Sequence, residues 1–526
     1  MANPSLQIGN SNWAIKEDNL LGYSTAGTRF VPQPITMTRA SAGTRVNSSG
    51  LVETVELLGS EEVTDGNFPL PNTNWILGGS GSNTPTIGTN DVAINSVDGN
   101  SFIQQSGILT SGKYYKITYD VISASATSNV LKLASSFGLG SIPTSVGTQV
   151  VYGTASTSTF YIERYTNGVN ATITNISVKE STKNNLARVD YDGTASSLLV
   201  EPQRTNEVTY SSDFSNWSAL GTITVTTNDT TSPSGGLTAD KVLGLDSASA
   251  INQIVNGTSG IEYTNSCYIK NLDATSSSLL IRNGITAVSS LLNWSGSVLS
   301  SITNNTGTTT FTDEGNGWYR LISTYTSLEA TQRPRIYPAI GTANTSVYLW
   351  GAQLEEGSYA TSYIPTDGST VTRVQDQYSK TGISNLINSE EGVLFAEMAA
   401  LANDGTFRII SLTDGGTTNR VSLIYNTSNN NIRVMVVSTS TVFDTSNSVT
   451  STLDFHKIAI KWKLNDFAVW IDGVEVATDT SGNAPVGLDR IVFDVGNGTL
   501  DFFGKVKQLQ VFKTALTDSE LATLTT

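Results

Sequence analysis

Apolar side chains in this chain fall mostly at every second position, in short runs separated by turn residues. Tyr115, Ile117, Tyr119 and Val121 alternate with Lys116, Thr118 and Asp120, which places four apolar side chains on one face of a strand. Clusters of Gly, Asn, Ser and Thr interrupt such runs at about the 8–12-residue spacing of sandwich folds. The pattern predicts an all-β chain of tandem β-sandwich or jelly-roll domains.

Two long stretches, from about Glu61 to Thr182 and from about Asn206 to Asp367, read as copies of one unit. Glu62-Val63-Thr64-Asp65, Phe68 and Trp75 open the first; Glu207-Val208-Thr209-Tyr210, Phe214 and Trp217 open the second. Ile103 and Ile251 lie 148 positions apart, and so do Tyr115 and Tyr263. A repeat this long indicates duplication of a whole domain, because solenoid repeats run roughly 20–50 residues.

From about Gly382 onward the pattern changes. Strands are predicted at 393–398, 407–412, 420–425, 432–437, 457–462, 467–471, 490–495 and 506–512. Asp472-Gly473 predicts a type I′ hairpin turn, which needs positive φ at both central residues. Thr517 to Glu520 is a capping-box pattern opening a short terminal helix. The N-terminal residues carry few apolar repeats and include Pro32 and Pro34, so they are read as an extended arm. The expected division is an arm at 1–56, a first jelly roll inserted at 57–183, a second with neck strands at 184–372, and a final sandwich at 373–526.

Composition narrows the function. Charged residues make up 14% of the 526, against roughly 25% in ordinary domains, yet recurring Val, Ile, Tyr and Trp argue for packed β-domains over disorder. The net charge is −15 with no basic cluster, which excludes phosphate neutralisation and hence a nucleic-acid partner. No apolar run reaches the ~20 residues of a membrane span, so no membrane insertion is expected. The polar start lacks a signal-peptide core. One cysteine, Cys267, excludes an internal disulfide framework and fits synthesis in a reducing cytosol.

Leu198-Leu199-Val200-Glu201-Pro202-Gln203-Arg204-Thr205-Asn206 resembles the signature that opens a β-sandwich module in bacteriophage head-spike and tail-fibre proteins. Its upstream companion, Arg39-Ala40-Ser41 through Arg45-Val46-Asn47 to Leu51-Val52-Glu53, lies well ahead of it, so the first jelly roll is an insertion between the two halves. The two copies look like carbohydrate-binding-module jelly rolls. The stretches Phe455–Trp462, Val469–Val474 and Gly504–Leu521 resemble laminin-G-like and concanavalin-A-like sandwiches. The resemblances imply a virion protein made in the host cytoplasm and displayed as a homotrimer. They imply attachment to other virion proteins through the arm and adhesion to a host cell-surface glycan. A purely structural decoration protein and a polysaccharide depolymerase are the alternatives.

Hydrolysis of the laminarinase type needs two carboxylates on one strand face about 5 Å apart. The corresponding strand here offers Glu397 alone, because Glu390 and Glu391 are adjacent and point to opposite faces; no enzyme is expected. His456 is the single histidine, read as a structural strand residue, and Cys267 as a core thiol. Sugar binding calls for an accessible ring, and Trp470 is the candidate, either lining the concave face or packing between sheets or chains. Trp462, Trp318, Trp350, Trp75 and Trp217 are assigned to cores. The jelly-roll resemblance implies structural calcium near the first and last strands of each copy, with Asp65, Glu180, Asp213 and Glu356 as ligands.

Overall fold

The computed structural model describes residues 2–10, 13–16, 19–26, 29–79 and 81–526. The alternating stretches form antiparallel strands almost throughout, so the fold is all-β as the sequence predicts. The chain divides into two compact units: Glu56–Lys183, and Met1–Val55 together with Asn184–Thr526. No helix among the described residues is long and apolar enough to cross a membrane.

The first unit is a jelly roll of two facing sheets. One carries Tyr114–Ala124 between Gly147–Thr154 and Val169–Thr182. The other runs Leu139–Ile142, Leu131–Leu133, Phe160–Arg164, Ser101–Gln105, Ile76–Gly79. Tyr115, Ile117, Tyr119 and Val121 are buried against Ile103, Leu131, Phe160 and Ile162, as the alternation requires.

The second jelly roll lies within the larger unit and repeats this construction down to single hydrogen bonds. Phe68 packs on Trp75 with centroids 5.1 Å apart, and Phe214 on Trp217 at 5.0 Å. Each indole nitrogen donates to a backbone carbonyl at 2.9 Å, of Asp65 and of Tyr210. Gln105 accepts from the Thr64 amide, as Gln253 does from Thr209. The hydroxyls of Tyr115 and Tyr263 accept from the amides of Thr110 and Thr258. Cys267 is a core thiol here, and burial pushes it up to about 12.

The final sandwich contains all eight strands predicted for it, to within two or three residues at their ends. Asp472 and Gly473 have φ of 49° and 82°, the two positive values of a type I′ turn. Thr517 and Glu520 form the reciprocal capping box. His456 is buried with both ring nitrogens engaged, by Asp472 at 2.6 Å and the Ser451 carbonyl at 2.9 Å. The expectation of a separate N-terminal arm is corrected. Leu6–Gly9 pairs with Gly504–Phe512 and Arg29–Thr38 with Gln377–Lys380, and Leu6, Ile8, Leu20, Ile35 and Met37 lie in the final sandwich's core. Apolar residues too sparse for a core of their own are buried by joining another. Arg188–Asp192 and Ala195–Val200 join the same sheet through Gly504–Phe512.

The signature segments meet at the junction of the second jelly roll and this sandwich, around a buried ion network. Asp376 takes Arg39 at 2.7 Å and Arg188 on its other oxygen. Glu201 takes Arg188 at 2.5 Å and Arg373 at 2.9 Å. All five side chains are 3% exposed or less. Burial alone would raise the Glu201 pKa, but the guanidinium groups of Arg373 and Arg188 and the Ser362 hydroxyl hold it well below its ordinary 4.5. In the unfolded chain this carboxyl titrates near 4.5. Its contribution to stability is therefore complete above that pH and is lost as pH falls toward the lower folded value. Urea midpoints measured from pH 7 down to pH 3 are expected to hold nearly level and then drop below about pH 4.5. In Glu201→Gln the acid-side drop is expected to be shallower.

Candidate functional site

The five-stranded sheet of the first unit has one face in the core and one open. In Ser101–Gln105 the inward residues are Ser101, Ile103 and Gln105, which leaves Phe102 and Gln104 outward. In Phe160–Arg164, Phe160 and Ile162 point in, so Tyr161 and Glu163 point out. Lys132 is the outward residue of Leu131–Leu133. The register sets Phe102 opposite Glu163, Gln104 opposite Tyr161 and Lys132 opposite Glu163.

The two outward rings stand diagonally across the ladder, centroids 5.7 Å apart and inclined at 59°. Gly78 makes this possible. It lies opposite Phe102 on the neighbouring strand, and a Cβ there would fall 2.0 Å from the ring. The phenyl group therefore lies across the sheet over the glycine. Around the rings, Glu163 accepts from the Ser135 amide at 2.9 Å, and Arg164 donates to Asn100 at 3.1 Å. The Arg164 Nε is shut off from solvent without an acceptor. Together they border an open cavity of about 440 Å³. Half-exposed rings flanked by amides, an ammonium and a carboxylate suit a ligand with an apolar C–H face and a rim of hydroxyls.

The sequence passed over this face in favour of the tryptophans. A signal was nonetheless available: consecutive aromatics in a strand, Phe160-Tyr161, must face opposite ways, so one of them is outward.

Trp470 takes the packed one of its two expected roles. It lies on the side of its strand away from Phe467 and Ile471, as expected, but that side is not open. The half-buried indole packs with Val393, Phe395 and Phe512 against Leu516 and Leu521, the last on the C-terminal helix. Its Nε1 is shielded and without a partner. An apolar strip on the sheet's outer face needs cover, and the segment that ends in the helix provides it. Trp462, Trp318, Trp350, Trp75 and Trp217 are all core residues.

The four residues expected to ligate calcium each have a protein partner. Asp65 accepts from Asn74 at 2.5 Å, Glu180 pairs with Lys113 at 2.8 Å, Asp213 caps the turn at Ser215, and Glu356 accepts the Tyr263 hydroxyl at 2.9 Å. Among the described residues no three acidic, His or Cys side chains gather in a way that could hold a metal ion. Acidic neighbours do act on one glutamate in each copy. Glu62 is raised by burial and by Glu180 and Glu61, and Glu207 by burial and Glu356.

No family model matches the chain, and no curated protein matches it. Solved structures give partial likenesses. The Ruminococcus gnavus IT-sialidase CBM40 bound to α2,3-sialyllactose shares 16% identity over 27% of this chain and 86% of that one, with a TM-score of 0.24. Domain 4 of AbnA, a GH43 extracellular arabinanase from Geobacillus stearothermophilus, in complex with arabinotriose, shares 16% over 32% and 83%, TM-score 0.26. Domains LG4-5 of the mouse laminin α1 chain share 10% over 52% and 90%, TM-score 0.19. Scores this low assign no ligand to this chain.

Proposed function

We propose that this chain is a non-catalytic adhesion protein that binds glycans, with the Phe102–Tyr161 face as its contact for sugar rings. The observation that carries the reading is the placement of two aromatic rings on the solvent side of a sheet, over a glycine that lets one of them lie flat. Rings so placed cover the C–H face of a pyranose while Gln104, Lys132 and Glu163 reach its hydroxyls. The signature resemblance extends this to a spike or fibre subunit of a bacteriophage virion that meets host surface glycans. A homotrimer would present three such faces and raise avidity through effective concentration.

For the depolymerase alternative, the larger unit has a cavity of about 260 Å³ bordered by Asp190, Glu201 and Glu314. Its chemistry argues against hydrolysis. A general acid needs a raised pKa, and Glu201 is held low by two guanidiniums. Asp190 is tied to Lys505 and the Val46 amide, both at 2.8 Å. Glu397 is likewise engaged, by Gln508 at 3.0 Å and Lys507 at 3.3 Å.

The test is an array of bacterial surface oligosaccharides probed with the full chain, followed by calorimetric titration of the best ligand. Phe102→Ala and Tyr161→Ala are each expected to cost about 2 kcal/mol, roughly thirtyfold in affinity, with the circular dichroism spectrum unchanged. Unaltered affinity in both variants would refute the site, and binding to no glycan would refute the function.

A further inference from the structure

The second jelly roll keeps the outer face of the first in register but not in chemistry. Ala250 and Asn252 lie 148 positions after Phe102 and Gln104. Asn252 pairs with Arg335 as Gln104 pairs with Tyr161. Arg335 thus stands where the first copy has its tyrosine, and a buried alanine replaces the phenylalanine. Two further arginines share this face. Arg333 is two residues along the same strand, and Arg282 lies directly opposite it on Ser276–Asn283. Tyr337 follows in the same outward phase, across from Ser278.

Like charges directly opposite each other destabilise a sheet, and here they gather in a chain of net charge −15. Neutralisation within the face is partial. Glu329 pairs with Arg333 at 3.1 Å. Among the described residues neither Arg282, which is exposed, nor Arg335 has an ion-pair partner. A guanidinium fork with free donors matches a planar carboxylate or a sulfate bidentately.

We propose that this face binds an acidic glycan, with Arg335 and Arg282 holding a carboxylate or sulfate borne by a sugar ring and Tyr337 lying beside that ring. The inference rests on the adhesion reading and gives the second copy a ligand class distinct from the first.

The test titrates the full chain calorimetrically with an oligogalacturonate, a heparin-derived oligosaccharide and an uncharged cello-oligosaccharide of equal length. At least one charged ligand is expected to bind, and its preference over the other identifies the anionic group. Raising NaCl from about 50 to 300 mM should weaken that binding roughly tenfold, since paired charges are screened. The double variant Arg282→Gln, Arg335→Gln should weaken it at least tenfold. Arg333 stays native so that its pair with Glu329 is preserved, and the single exposed-site variant Arg282→Gln repeats the measurement with the least risk to folding. Charged ligands bound equally by wild type and both arginine variants, or not bound while uncharged glycans are, would overturn this inference alone. A chain that binds no glycan, charged or neutral, overturns it together with the adhesion reading.

Discussion

Asp376→Asn is expected to destabilise the larger unit by about 3–5 kcal/mol, the range for removing one partner from a buried ion pair. Asp376 is fully buried and serves three donors: Arg39, Arg188 and the Glu201 amide, the last at 2.8 Å. Asparagine can keep one acceptor, but its NH₂ must then face a guanidinium. Arg39 would lose its counter-charge and Arg188 one of its two, in a place that water does not reach. The contrast is Arg433→Gln, which breaks a pair as short, 2.5 Å, whose side chains are 27% and 34% exposed. That change should cost less than about 1 kcal/mol, because solvent already screens it. Urea unfolding of both variants checks the pair of outcomes. Equal losses would mean that burial is not what gives the network its weight.

The network is not arranged for stability alone. The Nε atoms of Arg188 and Arg373 and one terminal nitrogen of Arg39 are buried without acceptors, and such donors lower the net gain of a buried cluster. What the network does do is tie together segments far apart in the chain, those around Arg39, Arg188, Glu201 and Arg373–Asp376.

This explains what could be read from the sequence and what could not. The signature around Glu201 was visible as a motif, but its role depends on residues 39, 188, 362, 373 and 376, which local periodicity cannot bring together. Strands with apolar alternation were found, including Phe467–Ile471 at its observed ends. Ser440–Ser448 was missed because only Phe443 in it is buried. The N-terminal strands read as an arm because their core partners lie hundreds of residues away, in Gly504–Phe512. The duplication was legible from equal offsets, and the hydrogen bonds of Trp75 and Trp217 repeat it. The candidate site was not, because Trp470 drew attention by residue type. Its burial is decided by a helix that packs on from the chain's end, while Phe102 and Tyr161 stand out only when their phase within the strand is considered.

Asn206, the last residue of the signature, should prove about as sensitive as Asp376. An amide side chain has two donor hydrogens and two acceptor lone pairs, and all four are used here. Its nitrogen donates to the carbonyls of Ala352 and Ile364 at 3.1 and 2.9 Å. Its oxygen accepts from the amides of Val208 and Leu354, both at 3.1 Å. The side chain is completely buried, beside the point where the pairing of Thr345–Glu356 shifts register and Gly351 takes a φ of 62°. Asn206 thus serves two backbone groups of this strand, at Ala352 and Leu354, and two outside it, at Val208 and Ile364. Asn206→Leu keeps the volume but strands two amides and two carbonyls, at about 1–3 kcal/mol for each group left unsatisfied. A loss of about 3–5 kcal/mol in urea unfolding is expected once partial relaxation is allowed for. Asn206→Asp separates the causes. It retains both acceptors and sets a negative charge against two carbonyl oxygens, so at neutral pH it should be no better than leucine. As pH falls the carboxyl gains a proton and can donate to one carbonyl, and its deficit relative to wild type should narrow. A deficit that stayed constant with pH would show that lost packing, and not unpaired backbone, is what the asparagine prevents.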